Sequence, residues 1–477
     1  MAGTRAQAAG SGLVSDLRRL LGAARVEAPT AQYLADATES RGLRGRADAV
    51  AFPESTDEVA RLLAWCSRHA VVVTPRGGGT GLAGGAVPID GGLVIALERM
   101  SAVRQFDPHL WRIEVEAGLR TADLHRLART NGLLFGPDPG AAEQSQVGGN
   151  IATNAGGPHS FKYGTTRRWV SGIEAVLPDG EPIELGGWAR KDVAGYDLLG
   201  LLVGSEGTLA VITAAWLKLL PAPEVVLPLV AIYPDSRSGC AAIERVIAAG
   251  LQVATLDYLD AGSIAAAARG FPGELEAGAG FMVIAEADGS AGEAERLRDE
   301  VSDILGDGLL GLRAPRTRKE VDALWRWRDG VGVQVAAERH GKLSEDIVVP
   351  VERLADAVEE TIAIGARHGL VAVSWGHAGD GNLHSTFLLD PGDAGEVERG
   401  EAAAEELFAM ALSYGGAVTG EHGVGWVKRG QLARQWTPPA LALHDAVKRA
   451  FDPKNILNPG KKPGLDGTRV DASLVGR

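Results

Sequence analysis

Apolar positions recur along the chain with two different periods, and the switches between them mark out the elements. Leu13–Leu21 repeats as a short leading helix would, ahead of a poorly patterned connection to Gly45. Ser55-Thr56-Asp57-Glu58 has the form of a capping box opening a helix Val59–His69, and the apolar run Val71–Thr74 then reads as a buried strand. Leu93–Leu97 is a second such run, whereas Arg112–Ala117 alternates with period two, as a half-exposed strand does. Thr121 is placed to cap a helix Ala122–Thr130 that Asn131-Gly132 closes. From Gly136 to Gly164 no period holds, and the stretch is too long to be a mere connection, so it reads as an irregular wall for a ligand. The pattern resumes with a hairpin, Ile173–Leu177 and Ile183–Leu185 around Pro178-Asp179-Gly180, and a strand Ala214–Leu219.

Pro221-Ala222-Pro223 interrupts the chain. Beyond it come a strand Val225–Ile232, a helix Gly239–Ala249, strands Val253–Tyr258 and Phe281–Glu286 and a helix Glu293–Leu305, in the order an antiparallel sheet backed by helices requires. Val371–Ser374 and Ser385–Leu389 add two strands. The expectation is an α+β protein of two domains, 46–222 and 223–455, because 477 residues exceed what one core usually serves. Residues 1–45 lead in without assigned chemistry, and the tail frays from Gly464.

Charge and cysteine usage narrow the function classes. With 48 basic and 61 acidic residues the net charge is −13, which argues against nucleic acid or an anionic membrane surface as partner and requires a local cation for any anionic substrate. Two cysteines, Cys66 and Cys240, make neither a disulfide framework nor a four-thiolate iron–sulfur cluster, so a reducing, cytoplasmic setting is expected. No run of ~18 apolar residues and no signal-peptide pattern is present, so neither export nor a membrane span is expected; a peripheral seat on the inner membrane face and a homodimer stay open.

Two stretches carry candidate chemistry. Pro75–Pro88 holds six glycines, so its backbone N–H groups can approach an anion closely; the planar fork of Arg76 and the hydroxyl of Thr80 suit phosphate oxygens. In the irregular wall, Asn150, Thr153 and Asn154 offer amide and hydroxyl groups among small residues. The second stretch, Trp375 to His384, turns through Gly-Asp-Gly-Asn so that His377 and His384 face each other, and Glu421 beside His422 offers a carboxylate as third ligand for Zn or Mn.

Four blocks in this order resemble the vanillyl-alcohol-oxidase type of FAD enzymes, and within them the FAD-linked D-2-hydroxy-acid dehydrogenases of the D-lactate dehydrogenase and glycolate oxidase branch. They are Pro75–Pro88; Val147–Gly157 with Lys162-Tyr163-Gly164; Gly204–Leu209; and His377–His384 with Glu421-His422, within a likeness that runs from Ala47 to Lys462. The resemblance implies an FAD-binding domain over 46–222, a substrate or cap domain over 223–455, and a C-terminal segment 456–477 that returns to the flavin. It implies FAD contacts from Pro75, Arg76, Gly77, Gly78, Gly79, Thr80, Gly81 and Leu82, and from Pro137, Gly149, Asn150, Thr153, Asn154, Gly157, Tyr163 and Gly164. Glu206, Val211, Ile212 and Asn458 complete that set, with Val211 and Ile212 at the adenine and ribose end. It implies a divalent metal on His377, His384 and Glu421, His422 as base, and Arg328 or Lys342 for the substrate carboxylate.

The implied reaction oxidises a small 2-hydroxy acid, lactate or glycolate, with hydride passing from C2 to flavin N5, and electrons going on to a quinone, cytochrome or partner subunit. Within the fold, a member of the alkyl-dihydroxyacetone-phosphate synthase type is the alternative; a non-catalytic FAD-binding subunit is another. Hydroxyglutarate-specific relatives carry Asn and Lys where this chain has Thr386 and Ser344, so a second carboxylate is poorly provided for. Pro75–Pro88 contains no His or Cys to attach a flavin, so non-covalent FAD is expected.

Overall fold

A computed structural model describes residues 3–38 and 41–462; the tail from Gly464 lies outside the described residues. The N-terminal part pairs two sheets over one core. In the first, strands Ala49–Ala51, Leu93–Ala96 and Val73–Arg76 run parallel, with Val26–Glu27 antiparallel at the edge. The second is a five-stranded antiparallel sheet in the order 103–107, 112–116, 211–218, 170–176, 182–186. Val73, Leu93 and Ile95 of one sheet and Ile113, Val115, Ile173 and Leu217 of the other share a buried cluster with Val59, Leu62, Leu63 and Cys66 of the helix Thr56–His69.

The C-terminal part is a seven-stranded antiparallel sheet, 311–313, 225–233, 281–289, 255–260, 371–376, 382–388, 342–348. Helices cover both faces. Leu256, Tyr258, Leu343, Ile347, Leu383 and Phe387 point into one apolar cluster, under the helices Ser236–Ala248, Leu354–Arg367 and Ala394–Ser413. Because strand side chains alternate, the intervening positions Asp257, Lys342, Ser344, Asp346, Trp375, His384 and Thr386 all belong to the opposite face. Register aligns them: His384 lies across from Asp346 on one side and Trp375 on the other, and Ser344 lies across from Thr386.

Several local expectations need correction. Ser55 caps the helix by accepting from the N–H of Glu58, but Glu58 turns its carboxylate to the N–H of Glu54, so the box is half formed and the helix starts at Thr56. Thr121 is the first helical residue rather than the cap; its hydroxyl instead meets Ser145 and accepts from the Asn150 side chain at 2.7 Å. The 136–164 stretch is not wholly irregular, since it folds short helices Val147–Thr153 and Ser160–Tyr163. No helix among the described residues is long and apolar enough to cross a membrane.

Candidate active site

A cavity of about 1200 Å³ lies between the two sheet systems, larger than the ~300–1,000 Å³ of ordinary small-molecule sites. The glycine loop from Pro75 to Leu82 forms one wall; Gly149, Asn150, Thr153, Gly157, Glu206 and Ile212 line it further along, and Arg328, Lys342, His377, His384, Glu421 and His422 close the far end. The N–H groups from Gly77 to Leu82 find no acceptor among the described residues, as a nest built for an external anion should. The loop also needs its glycines: a Cβ on Gly78 would stand 2.1 Å from the carbonyl oxygen of Gln144. An elongated ligand with a central pyrophosphate fits this cavity and donor set.

Arg76 behaves otherwise than expected. Its guanidinium is buried and donates to the carbonyls of Ala35 (2.8 Å), Ala86 (3.3 Å) and Gln32 (2.5 Å), so it braces the N-terminal segment against the loop instead of presenting a free fork to phosphate. The segment before Gly45 is therefore not a mere lead-in, because its residues Ala37, Thr38, Arg41 and Gly42 line the cavity. Arg41 ties that segment to the seven-stranded sheet through Glu345 and to the helix Ala394–Ser413 through Glu401.

Six residues expected at the cofactor do not line the cavity, and their contacts explain why. Asn154 closes the helix Val147–Thr153 in a left-handed conformation and accepts from Thr165 and the N–H of Arg167. The Tyr163 hydroxyl donates to Asp288 of the seven-stranded sheet, Gly164 turns the chain after it, and the Pro137 carbonyl meets His125 at 2.8 Å. Val211 is core. Asn458 braces Gly85 and Glu206 carbonyls from behind, while the Ile456 carbonyl and Asn458 N–H join Val73, which brings the C-terminal segment back to the loop-bearing strand. Glu206 lines the cavity but spends its carboxylate on the N–H groups of Val424 (3.0 Å) and Gly425 (2.6 Å), fixing the loop that carries Glu421 and His422.

At the far end three imidazoles converge on one oxygen. His384 Nε2 is 3.5 Å, His377 Nε2 3.6 Å and His422 Nε2 4.0 Å from Glu421 Oε1. The His377 and His384 rings are perpendicular, with centroids 5.4 Å apart, and His384 stacks on His422 at 5.3 Å. The His377 Nδ1 is held by Asp257 at 2.8 Å, the carboxylate–histidine arrangement that turns Nε2 toward a metal. Burial disfavours a charged His377, yet Asp257 and Glu421 push its pKa up to about 10. Burial, with His422 and His377 nearby, pushes His384 down to about 3. Burial opposes ionisation of Glu421 too, but the three histidines pull it down to about 2. The donor set, imidazole nitrogens and one carboxylate, fits a divalent cation with an open position.

Asp346 lies within 4.8 Å of His384, Glu421 and His422, so proximity alone would count it a ligand. Its hydrogen bonds say otherwise. Oδ2 accepts from the Thr419 hydroxyl (2.7 Å) and from the N–H groups of Gly420 (2.8 Å), Glu421 (2.9 Å) and His422 (2.9 Å), and Oδ1 accepts from Asn382 (2.6 Å). With both oxygens occupied it shapes the 419–422 loop. Burial raises its pKa, but His422, Lys428 and His384 hold the carboxyl far below the usual carboxylate range.

Arg328 sits in the helix Arg318–Asp329, only 8% exposed, and so is no solvated helix-face arginine. Its Nε donates to Asp257 at 2.6 Å while its buried Nη2 has no partner, leaving Nη N–H donors for a ligand. Lys342 stands over the Trp375 ring, 5.2 Å from its centroid. Asp257 and Asp346 were missed in the sequence; for Asp257 the available signal was a carboxylate between apolar neighbours, Leu256-Asp257-Tyr258, where charge is costly without partners, whereas Asp346 follows Ser344-Glu345 in a mixed strand and gave no such signal.

Comparison with known proteins places the chain in a family. Residues 47–186 match the FAD binding domain model and residues 222–462 match the FAD linked oxidases, C-terminal domain model. The chain is 38% identical over 427 residues to glycolate oxidase subunit GlcD of Bacillus subtilis (strain 168), covering 88% of this chain and 90% of that one. It is 34% identical to a D-lactate dehydrogenase of Anaerostipes hadrus, covering 88% and 90%. Among solved structures, p-cresol methylhydroxylase superposes with a TM-score of 0.80 at 18% identity, covering 96% of this chain and 98% of that one. An alkyldihydroxyacetonephosphate synthase superposes with 0.71 at 19%, covering 94% and 84%. The α+β fold is thus of the vanillyl-alcohol-oxidase type that the glycine loop suggested. The chain belongs to the FAD-linked oxidase family and is an FAD-dependent oxidoreductase.

Proposed function

We propose that the protein oxidises a D-2-hydroxy acid to the 2-oxo acid with non-covalently bound FAD and one divalent metal ion. The observation that carries this reading is the convergence of His377, His384 and His422 on Glu421 beside the unpartnered Arg328 Nη2, in the same cavity as the glycine loop. The names of the relatives, glycolate oxidase subunit and D-lactate dehydrogenase, support hydroxy-acid chemistry.

Each residue has a task in that reaction. Arg328 takes the substrate carboxylate through its unused N–H, with Asp257 holding the guanidinium in place. His377, His384 and Glu421 would hold the cation, which supplies Lewis acidity toward the hydroxyl oxygen. His422, stacked on His384, accepts the hydroxyl proton at Nε2. FAD supplies the hydride acceptor when bound. The N–H groups from Gly77 to Leu82 would take its pyrophosphate, and the absence of His and Cys from Pro75–Pro88 supports non-covalent binding. Anaerobic bleaching of the bound flavin with paired D- and L-2-hydroxy acids tests the reading: bleaching by D-acids is expected, and a flavin that no 2-hydroxy acid reduces would overturn it. Acid precipitation should leave the yellow colour in the supernatant.

A further inference from the structure

Resting on that reading of the site, we infer that Glu286 is a positioning residue for hydride transfer, holding the helix that carries Arg328 in register with the wall of the flavin cavity. Glu286 is 2% exposed and is engaged on both sides. One oxygen accepts from Trp325 Nε1 at 2.6 Å, and the other meets His159 Nε2 at 2.8 Å. Trp325 stands three residues before Arg328 in the helix Arg318–Asp329, so both side chains leave the same side of it. His159 follows Gly157 and Pro158, which line the cavity, and its Nδ1 meets Asp138, the residue before cavity-lining Pro139. Both ring nitrogens thus face carboxylates and both donate, as only an imidazolium can. Burial opposes that charge, but Asp138 and Glu286 hold the His159 pKa well above its ordinary value.

The sheet beneath makes this a two-point mount. Glu286 is the cross-strand neighbour of Thr255, and Ile284 that of Asp257, so the two carboxylates stand on one face of the sheet, under one helix. Asp257 fixes Arg328 against His377 of the histidine cluster, and Glu286 fixes Trp325 against His159 of the flavin wall. Thr255 adds a bond from the same strand as Asp257, its hydroxyl donating to the Pro158 carbonyl at 3.0 Å. A substrate with its carboxylate on Arg328 and its hydroxyl at the histidines is therefore placed through Asp257, whereas the position of its C2 against the flavin depends on Glu286. Apolar packing could hold the helix down without fixing its register; bonds to both oxygens of one carboxylate fix it.

The test compares flavinated wild type, Glu286→Gln, Trp325→Phe, His159→Gln and the Trp325→Phe/His159→Gln double variant. Stopped-flow gives the limiting rate of anaerobic flavin reduction by D-lactate, and the flavin difference spectrum gives the Kd for pyruvate without turnover. In Glu286→Gln and Trp325→Phe the rate should fall roughly 10- to 100-fold, as a misplaced reactant costs, while the pyruvate Kd changes by less than about threefold. The double variant should be no slower than the slower single one, because both links run through one carboxylate. Trp325→Phe keeps the ring and removes only the donor, so it decides the matter if Glu286→Gln does not fold. An unchanged rate in Trp325→Phe, a loss of pyruvate affinity as large as the loss of rate, or additive losses in the double variant would each overturn this inference while leaving the hydroxy-acid reading in place. A wild-type flavin that no D-2-hydroxy acid reduces would overturn both.

Discussion

Arg328 and His377 share one carboxylate: Asp257, fully buried, accepts from Arg328 Nε at 2.6 Å through one oxygen and holds His377 Nδ1 at 2.8 Å through the other. The group proposed to bind substrate and the group proposed to bind metal are thus set by the same side chain. Burial alone would raise the pKa of Asp257, but the Arg328 guanidinium and His377 hold it below its ordinary value.

Asp257→Asn keeps the shape and removes the charge. It should weaken metal binding about 10–100-fold, the usual cost of losing such a supporting carboxylate, and raise KM as Arg328 loses its anchor. Flavin content should not change, because Asp257 does not line the cavity beside the glycine loop. Metal titration and flavin absorbance on one sample decide this, and an unaltered metal affinity would show that Asp257 acts on packing alone.

Arg76→Ala should destabilise the fold as well as loosen FAD. Three carbonyl oxygens lose their donor, at about 2–4 kcal/mol in total. Thermal unfolding of the apoprotein separates this from a residue that only contacts phosphate: the variant should melt lower than wild-type apoprotein, and an identical melting temperature would show that the carbonyls find other donors.

Alkaline stability is set in part by two buried thiols. Burial pushes the Cys66 pKa from its ordinary 9.0 up to about 12, and burial with Glu244 and Glu359 raises Cys240 as well. The folded state keeps these protons that the unfolded chain gives up, so stability is intact below pH 9 and is lost as pH rises toward 12, by up to about 1.4 kcal/mol per pH unit for each thiol. Folded protein at pH 8 should resist a thiol reagent, and both cysteines should react in denaturant. Rapid labelling of folded protein would contradict their burial.

Much of this was legible in the residues because it is local. Glycine spacing marked the loop, period-two alternation marked the strands, and the Gly-Asp-Gly-Asn turn brought the His377 and His384 rings together. What escaped depends on pairings distant in the chain. Arg76 reads as a phosphate ligand until Gln32 and Ala35, more than forty residues away, claim its donors. Tyr163 lies in a motif that points to the cofactor, but its hydroxyl is drawn to Asp288, buried across the boundary between sheets. Asp257 sits between Leu256 and Tyr258 and Asp346 beside Glu345 in strands, and nothing in their neighbours names the histidines and loop they serve. Helix starts shifted by one or a few residues because Glu58 and Thr121 found partners other than their own helix ends.

The most direct test of the metal-assisted reading pairs elemental analysis with anaerobic stopped-flow reduction of the flavin, on wild type, chelator-treated and re-metallated protein and His384→Ala. Wild type should carry one divalent ion per chain. Chelation and His384→Ala should each leave FAD bound, because the glycine loop makes no use of the histidines, yet slow flavin reduction by a D-2-hydroxy acid roughly 100-fold or more, and re-addition of the ion should restore the rate only in wild type. Metal-free protein that reduces its flavin at the full rate would contradict the account and leave His422 and Arg328 to carry the chemistry without a cation.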